Sequence, residues 1–291
     1  MRAAAVEDAD PGLVHVAVRR CEGAVDRIVD DGGVLRPVEG KDLVASRQIW
    51  NIACYADAPD TIDDDAVIVS AAAWNTDAAH YLRIFAPRQP GEVGISQRHA
   101  GAYDATKYEL VRTANGGNHL IDIFAGFVRV EGLQVVDLAQ NSPDADINVE
   151  VSDASDVRIS ESILRGNVAN AQLSTGVEIA GQARGSLKVW NSVIQGFSAA
   201  CVFDNTISGS GATTYLYNNT LSGCSPGLDD RFATMLAKNN IFAAIPPLGP
   251  ATSGAWPHGF GEEATALQMR YVTCPKTAPA VPECDFGSPL G

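Results

Sequence analysis

The sequence predicts an all-β solenoid, in which short parallel strands wind into a coil and each turn stacks on the one before. The first observation is a repeat. One phrase of alternating apolar and polar residues occurs four times, starting at Val128, Val157, Leu187 and Thr214. These copies start 29, 30 and 27 residues apart, and a weaker fifth copy starts 21 residues later at Met235. Self-similarity at a near-constant period is typical of repeat architectures.

The second observation is the period within each copy. Alternation with a period of two indicates a strand that buries one face. Another apolar segment precedes each copy, at positions 120–124, 147–151, 176–179 and 201–203. Turn-forming residues separate the segments, and no helical period lies between them. Parallel strands connected without helices satisfy their backbone by coiling, with turns about 4.8 Å apart.

These residues resemble the right-handed parallel β-helix family, the solenoids of pectate lyases, polygalacturonases and phage tailspikes. The likeness is carried by Asn191, Asn218 and Asn239, each followed by a small or polar residue and then an apolar pair. They resemble the asparagine ladders that stack in one turn of such coils. The hexapeptide rhythm of left-handed β-helices is absent. The resemblance implies the fold and leaves the activity open, because one fold hosts many functions.

The chain divides into three predicted regions: an N-terminal segment with a helical cap at 1–65, the parallel β-helix at 66–244, and an irregular C-terminal cap or tail at 245–291. In the first region, 13–18 is predicted as a strand, 23–31 as a short helix and 41–55 as an amphipathic helix. A helix at this end is the usual cap in the family that the chain resembles. It would protect the first strands from pairing with other chains.

Composition and charge narrow the range of partners. The 291 residues are 46% hydrophobic, enough for a continuous core, and carry a net charge of −14. This acidic excess argues against a nucleic-acid partner, which needs a basic face, and against docking on anionic lipid. There is no run of 18 apolar residues, so no membrane insertion is expected. No secretory leader is visible at the N-terminus, and the predicted location is extracellular or virion-associated.

The cysteines allow two interpretations. The six are Cys21, Cys54, Cys201, Cys224, Cys274 and Cys284. An even number suits disulfides in an oxidising compartment, and the alternative is six buried or free thiols. The separation of 23 positions between Cys201 and Cys224 approaches one coil period, so these two could stack as neighbours. No Cys-x-x-Cys occurs, which argues against a zinc ribbon or a thioredoxin-type site.

An acidic ladder is predicted on the first strand of each repeat, at Asp122, Glu150 and Glu178, each 28 residues apart. Stacked in register, their carboxyls lie about 5 Å apart, which suits a retaining glycosidase, whereas wider pairs suit an inverting one. Asp153 is a further candidate for such a pair. The same carboxylates are ligands that Ca²⁺ prefers, so Ca²⁺ is the one cofactor left open, with no metal site assigned.

A basic ladder is predicted on the second strand, at Arg129, Arg158 and Lys188, followed by Tyr215. In the lyases that the fold resembles, a cation neutralises a uronate and an Arg or Lys takes the proton, which makes Arg158 and Lys188 candidates. Trp190 and Tyr217 occupy equivalent outward positions of adjacent coils, and aromatic rings suit the C–H faces of sugars. The alternative for both ladders is that solvent-facing strand positions are polar in any case.

The sharper motifs of the family are missing. Asp204-Asn-Thr206 and Asp229-Asp230 only echo two motifs of the polygalacturonases, and Gly-His-Gly, Arg-Ile-Lys and Trp-Ile-Asp-His are absent. No functional residue is therefore carried over from the family. In the long loop 87–106, Arg98 and His99 form either an acid/base site or a brace that bonds backbone carbonyls.

The predicted function is carbohydrate binding or polysaccharide degradation, of hydrolase or lyase type, with a polysaccharide or surface glycan as partner. The alternative is a non-catalytic structural β-helix, such as an adhesin or a phage tail component. A homotrimer would favour the tailspike-like alternative, and a monomer would favour a secreted enzyme.

Overall fold

The structure is a computed structural model. It describes residues 41–243 apart from 57–62, 65, 70–73, 90–91, 93–95, 116–118, 152–154, 171 and 225, together with six short strands outside that range. The described chain is an all-β parallel solenoid of about six turns. This confirms the predicted fold class.

Three sheets form the faces of the coil, and neighbouring strands in each sheet come from successive turns. Sheet 1 has nine strands: Ala5–Glu7, Leu13–Val18, Ile49–Cys54, Leu82–Phe85, Val128–Glu131, Ser155–Ser160, Gly185–Trp190, Ala212–Tyr217 and Thr234–Lys238. Sheet 2 has eight: Leu110–Arg112, Gln134–Asp137, Ile163–Arg165, Val193–Gln195, Thr220–Ser222, Ile241–Ala243, Arg270–Thr273 and Asp285–Phe286. Sheet 3 has six: Val67–Val69, Ile121–Ile123, Ala145–Val149, Thr175–Gly181, Val202–Thr206 and Leu228–Asp229.

The pairing is parallel throughout the coil. It is antiparallel only between the first two strands of sheet 1 and the last two of sheet 2. Two small pairs lie outside these sheets: Arg27–Val29 with Leu35–Pro37, antiparallel, and Lys41–Asp42 with Trp74–Asn75, parallel.

The core is built from columns of inward-facing side chains. In Val128–Glu131 and Ala212–Tyr217, buried and half-buried residues alternate, as expected for strands with one face inside. The central column of sheet 1 is fully apolar and buried, and consists of Ile52, Ile84, Val130, Ile159, Val189 and Leu216. Each turn alone cannot bury such a face, so stacking of the turns supplies the hydrophobic stabilisation.

The corner between sheets 1 and 2 is one residue in the left-handed backbone region. In five successive turns it is Gly132, Glu161, Asn191, Asn218 and Asn239, with φ between 50° and 70°. Asparagine tolerates this conformation better than most residues, which explains its recurrence in the repeat.

The internal ladder therefore lies one residue beyond the predicted asparagines. Asn191, Asn218 and Asn239 are exposed at the corner, and the next residue of each turn is buried. The Ser192 backbone N–H donates to Asn219 Oδ1 at 3.0 Å, and the Asn219 backbone N–H donates to Asn240 Oδ1 at 2.9 Å. The left-handed residue turns the chain, so its own side chain faces solvent and the following one enters the coil.

The predicted N-terminal helix at 41–55 is wrong over most of its length. The helix is the single turn Leu43–Ser46, which Asp42 caps by accepting from Ala45 N–H at 2.8 Å and which Arg47 ends at φ 54°. The chain then enters the strand Ile49–Cys54, whose residues are nearly all buried. A run covered on both faces shows no clear period, so its apolar residues fit a helix imperfectly and a strand equally well.

The other N-terminal and C-terminal predictions have mixed outcomes. The strand at 13–18 is confirmed, whereas 27–29, inside the predicted helix 23–31, is a strand. At the other end, Arg270–Thr273 continues sheet 2 beside Ile241–Ala243. Among the described residues, no helix is long and apolar enough to cross a membrane.

The cysteine prediction is confirmed for the central pair. Cys201 and Cys224 form a disulfide between adjacent turns, with their Cα atoms 5.4 Å apart. Cys54 is also disulfide-bonded. The thiol alternative is therefore wrong for these three residues. The side chains of Cys21, Cys274 and Cys284 lie outside the described residues.

Candidate functional site

The outward face of sheet 1 carries the predicted basic ladder. Arg129 pairs with Arg158, Arg158 with Lys188, and Lys188 with Tyr215, one in each successive turn. Arg83, which pairs with Arg129, extends the column by one turn toward the N-terminus. The repeat phrase predicts this register because its strands and corners keep a nearly constant length.

One carboxylate, missed by the sequence reasoning, holds the cations together. Asp156 accepts from Arg158 Nε at 2.6 Å, from Lys188 Nζ at 2.8 Å and from Ser186 Oγ at 2.9 Å. Arg129 Nη2 lies 3.6 Å from the same carboxylate. The sequence spacing could have revealed this contact, because Asp156 and Arg158 lie two residues apart and so share one face of a strand.

The electrostatics leave this cluster cationic. Burial raises the pKa of Asp156, but hydrogen bonds from Lys188, Arg158 and Ser186 outweigh it and the pKa is lowered, so Asp156 is an anion. Burial, and then the charge of Arg158, lower the pKa of Arg129. Three cations thus face one carboxylate on a protein whose net charge is −14.

Aromatic side chains continue the same face toward the C-terminal end. Trp190 pairs with Tyr217 in the next turn, as predicted. The rings of Tyr215 and Tyr217 lie 6.1 Å apart between centroids, and Lys188 Nζ lies 5.8 Å from the Tyr215 ring. All three rings are half-buried, so each offers part of its surface to solvent. The face therefore passes from cations to aromatic rings along the coil.

The described part of the loop after Leu82–Phe85 is fastened to this face by Arg98, which is 8% exposed. Its Nε donates to the Ala86 carbonyl at 3.0 Å, its Nη2 to Glu131 at 2.9 Å and its Nη1 to Glu161 at 2.9 Å. One guanidinium thus joins the loop to two successive turns.

His99, the next residue of this loop, makes a local hydrogen bond. Its Nδ1 accepts from the Gly101 N–H at 3.0 Å, which shapes the loop locally. Burial lowers the pKa of His99. The contacts of Arg98 support the bracing interpretation for that residue.

The predicted acidic ladder on sheet 3 is wrong at its middle member. Asp122 pairs with Asn148, and Asn148 pairs with Glu178. Glu150 lies two residues further on and is exposed at the end of its strand. The paired residues are 26 apart in the first step and 30 in the second, rather than 28 in both. Loops of unequal length cause this difference, and Asp153 lies outside the described residues.

The residues of sheet 3 that do pair, Asp122, Asn148 and Glu178, form a row of polar side chains with hydrogen bonds along it. Asn148 Nδ2 donates to Asp122 Oδ1 and Asn205 Nδ2 donates to Glu178 Oε1, both at 2.8 Å. Glu178 is 8% exposed, and its burial raises its pKa more than the Asn205 hydrogen bond lowers it. Two strand spacings separate the backbones of Asp122 and Glu178, about 9.6 Å. Nowhere in the described part of the chain do three His, Cys, Asp or Glu side chains converge as a metal site.

Comparison with known proteins found no relative of this chain. No family model, curated protein or solved structure matches the chain. The described residues form an all-β parallel solenoid, and the outward face of sheet 1 carries a row of cations followed by aromatic rings.

Proposed function

We propose that the protein binds an acidic polysaccharide along the outward face of sheet 1. The observation that carries the proposal is the column of Arg129, Arg158 and Lys188, in register and followed by aromatic rings. On an acidic chain, a row of cations that a single carboxylate holds in place is a local exception.

The spacing of the row suits a polymer that runs along the coil axis. One cation is presented per turn, about every 4.8 Å, so successive acidic groups of one polymer meet successive side chains. Arg and Lys form charge-assisted hydrogen bonds with carboxylates, and these are stronger than neutral ones. Trp190 and Tyr217 extend the face with ring surfaces for the apolar sides of sugar rings.

The Asp156 carboxylate reduces the entropic cost of binding. It fixes the positions of Arg158 and Lys188 before the ligand arrives, which reduces the side-chain ordering that association would otherwise require. Each of these cations keeps donors that Asp156 does not use, because Arg has five N–H groups and Lys three. A ligand carboxylate can therefore add to the network without displacing Asp156.

Degradation of an acidic polymer is the second candidate, and one observation favours it. The pKa of Glu178 is raised, as a general acid of a hydrolase requires, so a hydrolase would act on sheet 3 rather than on the binding face. Arg129 remains a cation, because a guanidinium keeps its proton in proteins, so in a lyase it would stabilise the acid without taking a proton. Arg158 and Lys188 then act as the groups that bind the acid.

A degradation screen separates these candidates. The purified chain is incubated with neutral and acidic polysaccharides, with and without Ca²⁺, while reducing ends and the ultraviolet absorbance of unsaturated sugars are followed. Absorbance identifies a lyase and reducing ends alone a hydrolase. Binding without either product supports a non-catalytic binding protein, and absence of both binding and products supports the structural alternative.

Disulfides persist in oxidising compartments, so the Cys201–Cys224 bond supports an extracellular or virion-associated protein. The homotrimer is proposed only for the structural alternative, and the mass in solution tests it.

The binding proposal predicts a charge-specific effect of Lys188→Ala. The variant removes one charge-assisted hydrogen bond, worth about 1.5–3 kcal/mol, so we expect the affinity for an acidic polysaccharide to fall about 10- to 100-fold. The matched control is Arg165→Ala, which removes an exposed cation from sheet 2. Titration calorimetry at two salt concentrations measures both, and equal losses in the two variants would contradict a site on sheet 1.

A further inference from the structure

The inward column of sheet 3 changes from aliphatic to acidic side chains toward its C-terminal end. Ile123, Val149 and Ile179 are paired in register and buried in the core. The next member of this column is Asp204, which pairs with Ile179 and is fully buried. Asp230 follows one turn later, directly after the paired residues Phe203 and Asp229, and is 6% exposed. Two carboxyls therefore stack where earlier turns have aliphatic side chains.

The Asp204 carboxyl is held as an anion. Asp204 Oδ2 accepts the backbone N–H groups of Arg231, Phe232 and Ala233 at 2.5–2.9 Å, and its Oδ1 accepts from Thr206 N–H at 2.9 Å. Burial raises the pKa of Asp204, but the Thr206 hydroxyl and these amides outweigh it and lower the pKa. Three of the four amides come from the last described turn, so this carboxylate also anchors that turn.

The Asp230 carboxyl has no hydrogen-bond donor among the described residues. Both oxygens of Asp230 are buried, and no hydrogen-bond donor of the described chain reaches them. Asp230 follows the Phe203–Asp229 pair by one residue, as Asp204 follows Phe203, so the strand register sets its carboxyl beside that of Asp204, which is itself an acceptor. Two facing carboxyls form a hydrogen bond only when one of them carries a proton. Burial, followed by the proximity of Asp204 and Asp229, raises the pKa of Asp230 to about 7.

We propose that Asp204 and Asp230 form a proton-dependent latch that closes residues 226–243, the last turn with strands described in all three sheets. With the proton present, Asp230 donates to Asp204 and the turn stays docked on the one below. Without it, two buried anions are stacked, and the turn opens to hydrate them. This latch does not depend on the proposed polysaccharide binding.

The charged groups around Asp230 also raise its pKa. Asp204 faces it from the turn below, and Asp229 precedes it on its own strand. Arg231 follows it, but its guanidinium lies 4.5 Å from the Phe203 ring and donates to Asn205 Oδ1 at 3.3 Å, on the outward side. Among the described residues, no cation neutralises the pair.

The pH range follows from the direction of the shift. The usual pKa of Asp is 3.8, and in the folded chain that of Asp230 is about 7. The folded state thus binds the proton more tightly than the open state, and stability is lost as the pH rises from about 4 to about 7. Above that range both states are ionised and no further loss from this group is expected.

Hydrogen exchange of the full-length chain, followed by mass spectrometry at pH 5, 6, 7 and 8, tests the latch. After correction for the intrinsic exchange rate, the opening constant of 226–243 should rise by up to about tenfold per pH unit between 5 and 7. Amides of the strands Ser155–Ser160 and Ile163–Arg165 should keep their protection.

Two variants sharpen the test. Asp230→Asn places a neutral amide in the position of the protonated acid, so the last turn should stay protected at pH 8 and lose its pH dependence. Asp229→Asn, its neighbour on the same strand, should keep the loss of protection with rising pH but move it to lower pH, because the Asp229 charge no longer raises the pKa of Asp230.

Three results would overturn the latch. They are a wild-type last turn equally protected at pH 5 and pH 8, an Asp230→Asn variant that keeps the wild-type pH dependence, and recovery of protection at pH 8 on adding Ca²⁺, which would mean a cation site. The wild-type profile decides the proposal even if the variant does not fold.

Discussion

Asn219→Ala should lower the free energy of unfolding by about 3–5 kcal/mol, whereas Asn218→Gly, one residue earlier, should change it by less than about 1 kcal/mol. The two asparagines are adjacent and chemically identical. The contrast arises because Asn218 is the exposed left-handed corner and Asn219, 1% exposed, points into the coil.

Asn219 satisfies backbone groups in the turn below. Its Nδ2 donates to the Val189 carbonyl at 2.9 Å and its Oδ1 accepts from the Ser192 N–H at 3.0 Å. The same Nδ2 lies 3.0 Å from Asn240 Oδ1. Alanine leaves a buried carbonyl and a buried N–H without partners, at about 1–3 kcal/mol each, together with a small cavity. Glycine at 218 adopts the left-handed conformation without strain.

Urea denaturation of the two variants and the wild type measures this difference. Equal stability of Asn219→Ala and the wild type would show that the internal ladder contributes nothing to folding. A large loss in Asn218→Gly alone would place the ladder at the corner residues, as the sequence pattern had suggested.

Gly132→Ala should destabilise the protein by about 4 kcal/mol or more, because it displaces the Arg98 guanidinium. A Cβ atom at this position would lie 2.7 Å from Arg98 Cζ and 2.8 Å from its Cδ. Arg98 has no free path away, since it is bonded to the Ala86 carbonyl, Glu131 and Glu161. Gly132 also has φ +70°, which costs a non-glycine residue about 1–2 kcal/mol.

The matched control separates steric displacement from backbone strain. Gly211 has φ +75°, close to that of Gly132, and a Cβ atom added there would meet nothing within 4 Å, so Gly211→Ala reports the strain alone. In an Arg98→Ala background, Gly132→Ala should cost only about the same 1–2 kcal/mol. Thermal unfolding of the single and double variants tests the coupling, and strictly additive losses would show that Gly132 and Arg98 act independently.

The sequence predicts the features that repeat with constant length. The copies starting at Val157, Leu187 and Thr214 are in register in sheet 1, and the cationic and aromatic rows on that face follow from it. The Cys201–Cys224 pair was found in the same way, from a spacing close to one turn. These inferences hold because alternation is local and fixes which side chain faces outward.

Features that depend on irregular segments were not predictable. The Glu150 error came from loops that place 26 and then 30 residues between paired positions of sheet 3. The segment 49–54 was assigned to a helix because both of its faces are covered by other parts of the chain. Neither the loop lengths in each turn nor the neighbours of a fully buried run are encoded in a local period.

The sequence by itself determined the solenoid, its period and the outward rows of sheet 1. Tertiary structure alone decided that Asp156 binds the cations, that Arg98 joins the loop to Glu131 and Glu161, and that Asp230 stacks on Asp204. The physical reason is that a strand pattern specifies the face of a side chain, whereas its charge partner is set by the register between turns and by the path of the loops.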